Sequence, residues 1–179
     1  MTYSEMAALA LENGFDKAKV VDTADILFDF SFVKYCAENL CGNYGANYTC
    51  PPDCGAPEIM REKILSHKKA LVLQSRWDIA DFSDFTPIKA AKAHHNDVSL
   101  KMADIFRKCG HNGFVVGASN CTLCTPCRVT LGEKCAHPDT AYCCMSAYCI
   151  HVKDLAEKCG MDYDFVPGKL SLFGMYVFD

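Results

Sequence analysis

"TPIKAAKAHHNDVSLKMADIFRKCGHNGFVVGAS", Thr86 to Ser119, carries a helix, its stop signal and a strand in one run. Thr86 followed by Pro87 reads as a cap and a first-turn proline, whose fixed φ and missing N–H suit a helix start. From there Ile88, Ala91, His95, Val98, Met102 and Ile105 recur at alternating steps of three and four, the spacing of one helical face. That stripe predicts a core-facing helix ending at Cys109. Gly110 fits the left-handed position that closes helices, and "FVVGAS" continues as an apolar strand.

The same order of helix, glycine and extended stretch recurs in "LALENGFDKAKVV" and "DLAEKCGMDYDFVPG", with Gly14 and Gly160 as the stops. Thr2 and Glu5 have capping-box spacing, so the first helix is expected to start at Thr2. Another starts near Pro57 and carries Ile59, Met60 and Ile64 ahead of the strand-like "KALVLQS". Strands are expected at Lys19 to Asp22, Ala70 to Ser75, Phe114 to Ala118 and Ser171 to Phe178. Interleaved in this way, the elements predict an α/β or α+β fold: a small layered domain with a mixed sheet of about four strands flanked by helices. A single metal-binding domain over residues 1–179 is expected, with cysteine-rich loops at 36–54 and 121–149.

Half of the 179 residues are apolar, enough for a core of ordinary size. A net charge of -4 gives no basic footprint for nucleic acid. No apolar run reaches the length of a membrane span. "MTYSEMAALALENGFDKAKVV" sets Glu5 and Glu12 around a short apolar run without a basic leader, so it does not read as a signal peptide, and a cytoplasmic protein is expected. Thirteen cysteines, an odd number, in such a chain point to metal binding or catalysis rather than disulfides.

Eight of those cysteines fall in two loops. The second loop, "CTLCTPCRVTLGEKCAHP", holds Cys121, Cys124, Cys127 and Cys135, separated by two, two and seven residues. A C-x-x-C-x-x-C run brings three thiolates from one turn onto three corners of a cubane, with the fourth arriving from farther away. Ferredoxins use that spacing, but there the fourth cysteine follows after about three residues and directly precedes proline. Here Pro138 comes three residues after Cys135, which leaves open whether Cys135 completes this site or serves another. Zinc is the alternative, since four thiolates also close a tetrahedral structural site. The first loop, "CAENLCGNYGANYTCPPDC", holds Cys36, Cys41, Cys50 and Cys54, with glycines to wrap a compact object and Pro51 and Pro52 stiffening the exit. A second metal site there is expected, or else a single site shared by both loops. Tyr44, Tyr48 and the run Phe28 to Phe32 are candidates to exclude water from it, with plain packing the expectation for the phenylalanines.

"CAENLCGNYGANYTCPP", "CTLCTPCRVTLGEKCAHP" and "SAYCIHVKDLAEKCG" together resemble a family of cysteine-rich predicted metal-binding proteins, a domain of unknown function found mostly in anaerobic bacteria and archaea. The likeness runs from about Cys36 to Gly160 and is carried by Cys36, Cys41, Gly42, Tyr44, Gly45, Cys50, Pro51, Pro52, Cys121, Cys124, Cys127, Cys135 and Pro138. It implies metal or iron–sulfur binding, with no established reaction. After that proline the family's pattern has a proline–serine pair and then a glycine, where this chain has Cys143, Cys144 and Cys149.

Of the remaining thiols, Cys109 and Cys159 are expected to pack in the core, and one of Cys143, Cys144 and Cys149 to lie near the metal. His95 belongs to the apolar stripe and His94 should face outward; His137 and Arg128 adjoin Cys135 and Cys127 and are candidates to act on a cluster's sulfur and charge. No Walker loop or nucleophile elbow occurs. The expected function is one-electron transfer through one or two 4Fe-4S clusters to a redox protein partner. The alternatives are a cluster-dependent enzyme of reductive or sulfur-transfer chemistry and a zinc-stapled binding module.

Overall fold

A computed structural model of the chain describes every residue except 167. The first helix, α1 (Tyr3–Glu12), starts on the expected capping box: the Thr2 N–H donates to Glu5 at 2.6 Å and the Glu5 N–H to Thr2 Oγ1 at 3.3 Å. Strand β1 (Lys17–Asp22) follows, then the short α2 (Val33–Ala37), α3 (Pro57–Leu65) and β2 (Lys69–Trp77). The long α4 (Phe85–Lys108) leads into β3 (Gly113–Val116), and after the second loop come α5 (Val152–Cys159), β4 (Phe165–Val166) and β5 (Lys169–Phe178). Gly14, Gly110 and Gly160 all carry positive φ at helix ends, as expected.

The strands form one five-stranded sheet in the order β1-β2-β5-β3, with β4 also pairing with β5. All four ladders are antiparallel, so the layered arrangement is α+β and the sheet is not mixed. Central β2 and β5 are buried on both faces, which is why "ALVL" and "LFGMYVF" read as nearly continuous apolar runs. Along them Ala70, Val72, Phe173, Met175 and Val177 face one layer with Ile64, Leu155 and Ala156 of α3 and α5. Leu71, Leu73, Tyr176 and Phe178 face the other, with Met6 of α1 and Met102 and Phe106 of α4.

Two details of α4 differ from the sequence reading. Its cap is Asp84, which accepts from the Thr86 N–H at 2.9 Å, so Thr86 and Pro87 already lie in the first turn. The buried stripe runs Ile88, Ala91, His95, Ser99, Met102, Phe106, whereas Val98 is partly exposed and Ile105 is 38% exposed. Both routes advance by threes and fours; the facing sheet selects the one with Phe106, whose ring packs on Tyr176 at 5.2 Å. In α3 likewise Met60 and Ile64 are buried and Ile59 is exposed. Cys159 is buried as expected, but Cys109 is exposed, because as the capping residue of α4 it has left the buried face.

His95 is fully buried, its Nδ1 at 2.7 Å from Ser75 Oγ and its ring edge-on to Phe15. Burial, with exposed His94 as a minor neighbour, depresses its pKa from 6.5 to about 3. Between those values the unfolded chain binds a proton that the folded chain refuses, so stability falls as the pH drops through that window, by up to about 1.4 kcal/mol per unit. Thermal unfolding between pH 6.5 and 4.5 should therefore lose midpoint more steeply than in His95→Gln, which cannot titrate. Parallel profiles would remove His95 as the cause.

Candidate metal centre

The second loop leaves β3 through Gly117, and buried Asn96 of α4 sets its direction. Asn96 accepts from the Ala118 N–H at 2.8 Å and donates to Ser119 Oγ at 2.8 Å, fixing the chain just before Cys121. Cys121, Cys124, Cys127 and Cys135 then turn around one small cavity, of about 10 Å³, closed by Leu123, Arg128 and His137. The loop thus brings together all four cysteines expected to act as a group. Burial pushes the Cys121 thiol up, opposed by backbone N–H groups of Leu123 and Tyr142 aimed at its sulfur. The His137 N–H donates to Cys135 Sγ at 3.4 Å. Arg128 is ion-paired to Glu133 and lies near Cys124, which places a cation beside the thiols.

The first loop clasps the second. Asn47 donates to the Cys121 carbonyl at 2.9 Å, the Cys121 N–H donates to Thr49 Oγ1 at 3.1 Å, and the Tyr48 hydroxyl donates to the Glu133 carbonyl at 2.7 Å. Asn47, Tyr48 and Thr49 form a wall of the second cavity, while the next residue, Cys50, faces a different space. That space is an open cleft of about 430 Å³, bordered by Cys36, Cys41, Cys50 and Cys144 on one side and by Tyr163, Phe165 and Phe173 on the other. Tyr44 lines the cleft and Tyr48 the cavity; Phe28 packs on the core instead, and Phe30 is exposed.

Three of the four first-loop cysteines therefore line one cleft, and the fourth thiol on its lining is Cys144 from the second loop. It is carried there by hydrogen bonds from the Gly117 N–H to the Cys143 carbonyl at 2.9 Å and from the Met145 N–H to the Gly117 carbonyl at 3.2 Å. Burial raises the Cys144 thiol, opposed by the nearby backbone N–H groups of Ala147 and Ser146 and its own; the Ala147 N–H donates to the Cys144 carbonyl at 3.1 Å. Burial, with Cys144 and Cys41 the foremost neighbouring thiols, pushes Cys36 up to about 11 and Cys50 up to about 12. Such thiols hold their protons until a cation displaces them, so metal uptake at this group strengthens as the pH rises.

Cys54 does not line the cleft. Its thiol donates to the Gly55 carbonyl at 3.9 Å, and the influence of the Cys143 thiol lowers Cys54 against the effect of burial while Cys143 is itself raised. Cys149 is buried with φ at +55°, the left-handed conformation that glycine adopts without strain. In sequence, only the clustering of Cys143 and Cys144 after Pro138 hinted at a cleft thiol; the pairing of Gly117 with Cys144 that delivers it is a long-range contact with no local signal. Among the described residues no three ligand-type side chains stand close enough to share a single metal ion. No helix among them is long and apolar enough to cross a membrane.

The model of a family described as "Predicted metal-binding protein (DUF2284)" matches residues 19–178, which include both groups of thiols. No curated protein and no solved structure matches the chain.

Proposed function

Because the chain belongs to this family of predicted metal-binding proteins, we propose that it holds two iron–sulfur clusters and passes single electrons between them and a redox protein partner. The ligand sets of this reading are Cys36, Cys41, Cys50 and Cys144 at the cleft and Cys121, Cys124, Cys127 and Cys135 in the second loop. Cys144 takes the place that the sequence reading gave to Cys54. The supporting observation is the wall between the two groups, where consecutive residues serve both sites: Thr49 lines one and Cys50 the other. Each site then lies within a residue's reach of its neighbour.

A cluster at each group supplies a one-electron couple whose potential depends on hydrogen bonds to sulfur and on exclusion of water. The chain's own groups act on both terms. The His137 N–H donates to Cys135 Sγ, backbone N–H groups near Cys121 and Cys144 oppose the effect of burial on those thiols, and Arg128 offsets negative charge beside Cys124.

One observation favours a second reading, a cluster-dependent enzyme: the cleft at the first group has the size of a small-molecule site and combines aromatic walls with Asn43, Ser119, Asn120 and Lys92. The test of the main reading is iron, zinc and acid-labile sulfide per chain in protein purified without oxygen, with visible spectra before and after dithionite. About eight irons with matching sulfide and a band that bleaches are the expected result. Colourless protein with zinc in both groups would end the redox reading; zinc in the tight second cavity alone would make that loop a staple.

A further inference from the structure

We propose that the cleft binds a planar aromatic carboxylate, with the carboxylate on Lys92 and the ring on the exposed faces of Tyr163 and Phe165. This names a ligand class for the enzyme reading above and rests on that reading for any reaction; the binding itself rests on the lining alone. The thiols of the cleft come from the two cysteine-rich loops, whereas α4, β5 and the chain around β4 contribute Lys92, Tyr163, Phe165, Ser171, Leu172 and Phe173 and no thiol.

Charge selects an anion. Among the described residues Lys92 is the one charged side chain on the lining, and no aspartate or glutamate joins it there. It stands one helical turn before Asn96 on the same face of α4, and Asn96 holds Ala118 and Ser119, which line the cleft as well. The neutral polar groups nearby are already engaged: Asn120 donates to Asn43 Oδ1 at 3.2 Å, Ser119 accepts from Asn96 at 2.8 Å, and Ser171 accepts from the Asp164 N–H at 3.3 Å. The Lys92 ammonium, by contrast, pairs with no carboxylate and lies over no ring among the described residues. A single ammonium balances a single negative charge. A phosphate ester or a nucleotide calls for a second cation or an arginine fork, and the lining supplies neither.

Exposure selects a flat ring. Tyr163 and Phe165 are 50% and 66% exposed although they line a concavity. Each is held by a ring behind it: Tyr163 stacks on Phe173 with 5.9 Å between centroids and 26° between planes, and Phe165 lies on Phe82 at 4.9 Å. Their outer faces are thus set in place before any ligand arrives. A flat ring laid on them removes apolar surface from water and orders little of the chain, so most of the gain appears as affinity.

The experiment is equilibrium dialysis, without oxygen, of anaerobically purified protein against sodium benzoate and trans-cinnamate, with benzamide and cinnamamide as neutral counterparts. Iron and the visible spectrum are read on the same samples. Each acid should bind once per chain and at least about tenfold more tightly than its amide, the worth of one hydrogen bond to a charged group. Lys92→Met should erase that difference, Lys92→Arg should keep it, and Phe165→Ala should weaken acid and amide alike. Acids that fail to bind, that bind no better than their amides, or that bind Lys92→Met as well as the parent protein overturn the inference. When the protein is iron-loaded, such a failure leaves the metal reading standing. Colourless, iron-free protein that binds the acids in the expected order overturns the metal reading and upholds the cleft; colourless protein that binds neither acid overturns both.

Discussion

Cys144→Ser will strip the metal from the cleft group and leave the second loop loaded, halving the iron bound per chain. Cys36, Cys41 and Cys50 remain in that variant, but three thiolates lack the fourth donor, and serine is a far poorer ligand for iron than a thiolate. Cys54→Ser is the informative counterpart and should keep full metal, because that thiol donates to the Gly55 carbonyl and is not on the cleft lining. Iron and sulfide analysis of the two proteins, side by side, decides the ligand set: loss in Cys54→Ser with retention in Cys144→Ser would restore the assignment read from the first loop. Cys124→Ser should show the mirror image, emptying the second loop and sparing the cleft. If any one of these changes removes all the metal, the two groups form a single site.

Gly174→Ala will lower stability by about 3 kcal/mol, the upper part of the range for forcing extra volume into a packed core. A methyl group at this point of β5 would stand 2.7 Å from His95 Nε2 and 2.9 Å from the Val116 carbonyl oxygen. The carbonyl belongs to the neighbouring strand and has little freedom to give way. The imidazole cannot swing aside without breaking its 2.7 Å bond to Ser75. For a chain of this length such a loss should lower the thermal midpoint by about 6 to 12 °C. Gly132→Ala makes a fair comparison, since a Cβ there meets nothing within 4 Å and only the positive φ of 67° opposes it. Equal midpoints for the two variants would show that the sheet yields to the methyl group and that the contact is not tight.

Much of the fold was legible because its signals are local. The Thr2 and Glu5 cap, the glycine stops and the apolar runs of β2 and β5 each depend on residues within a few positions of one another, and all of them appear in the structure. The direction of strand pairing was not legible, since alternating helices and strands suit parallel and antiparallel sheets alike until the connections are seen. The site divides in the same way. Cys121, Cys124, Cys127 and Cys135 converge because their spacing forces a turn, and that spacing is written in the sequence. In the first loop the longer gaps fix nothing by themselves, and which thiols meet is decided by contacts from afar. The bond of Gly117 to Cys143 brings Cys144 into the cleft, and Cys54 lies off its lining, its thiol on the Gly55 carbonyl. Both segments looked equally rich in cysteine, and neither carried a mark of which thiol would go where.

The strand order has a consequence for biosynthesis. β5, which binds β2, β3 and β4 together, is the last strand in chain order, and every one of the thirteen cysteines precedes it. During translation all the thiols are therefore made before the middle of the sheet exists, and Leu172 and Phe173, which complete the cleft, arrive after them. On the two-cluster reading, a cleft completed by Leu172 and Phe173 takes its metal only once β5 has been made, and the thiols synthesised earlier have to stay reduced until then.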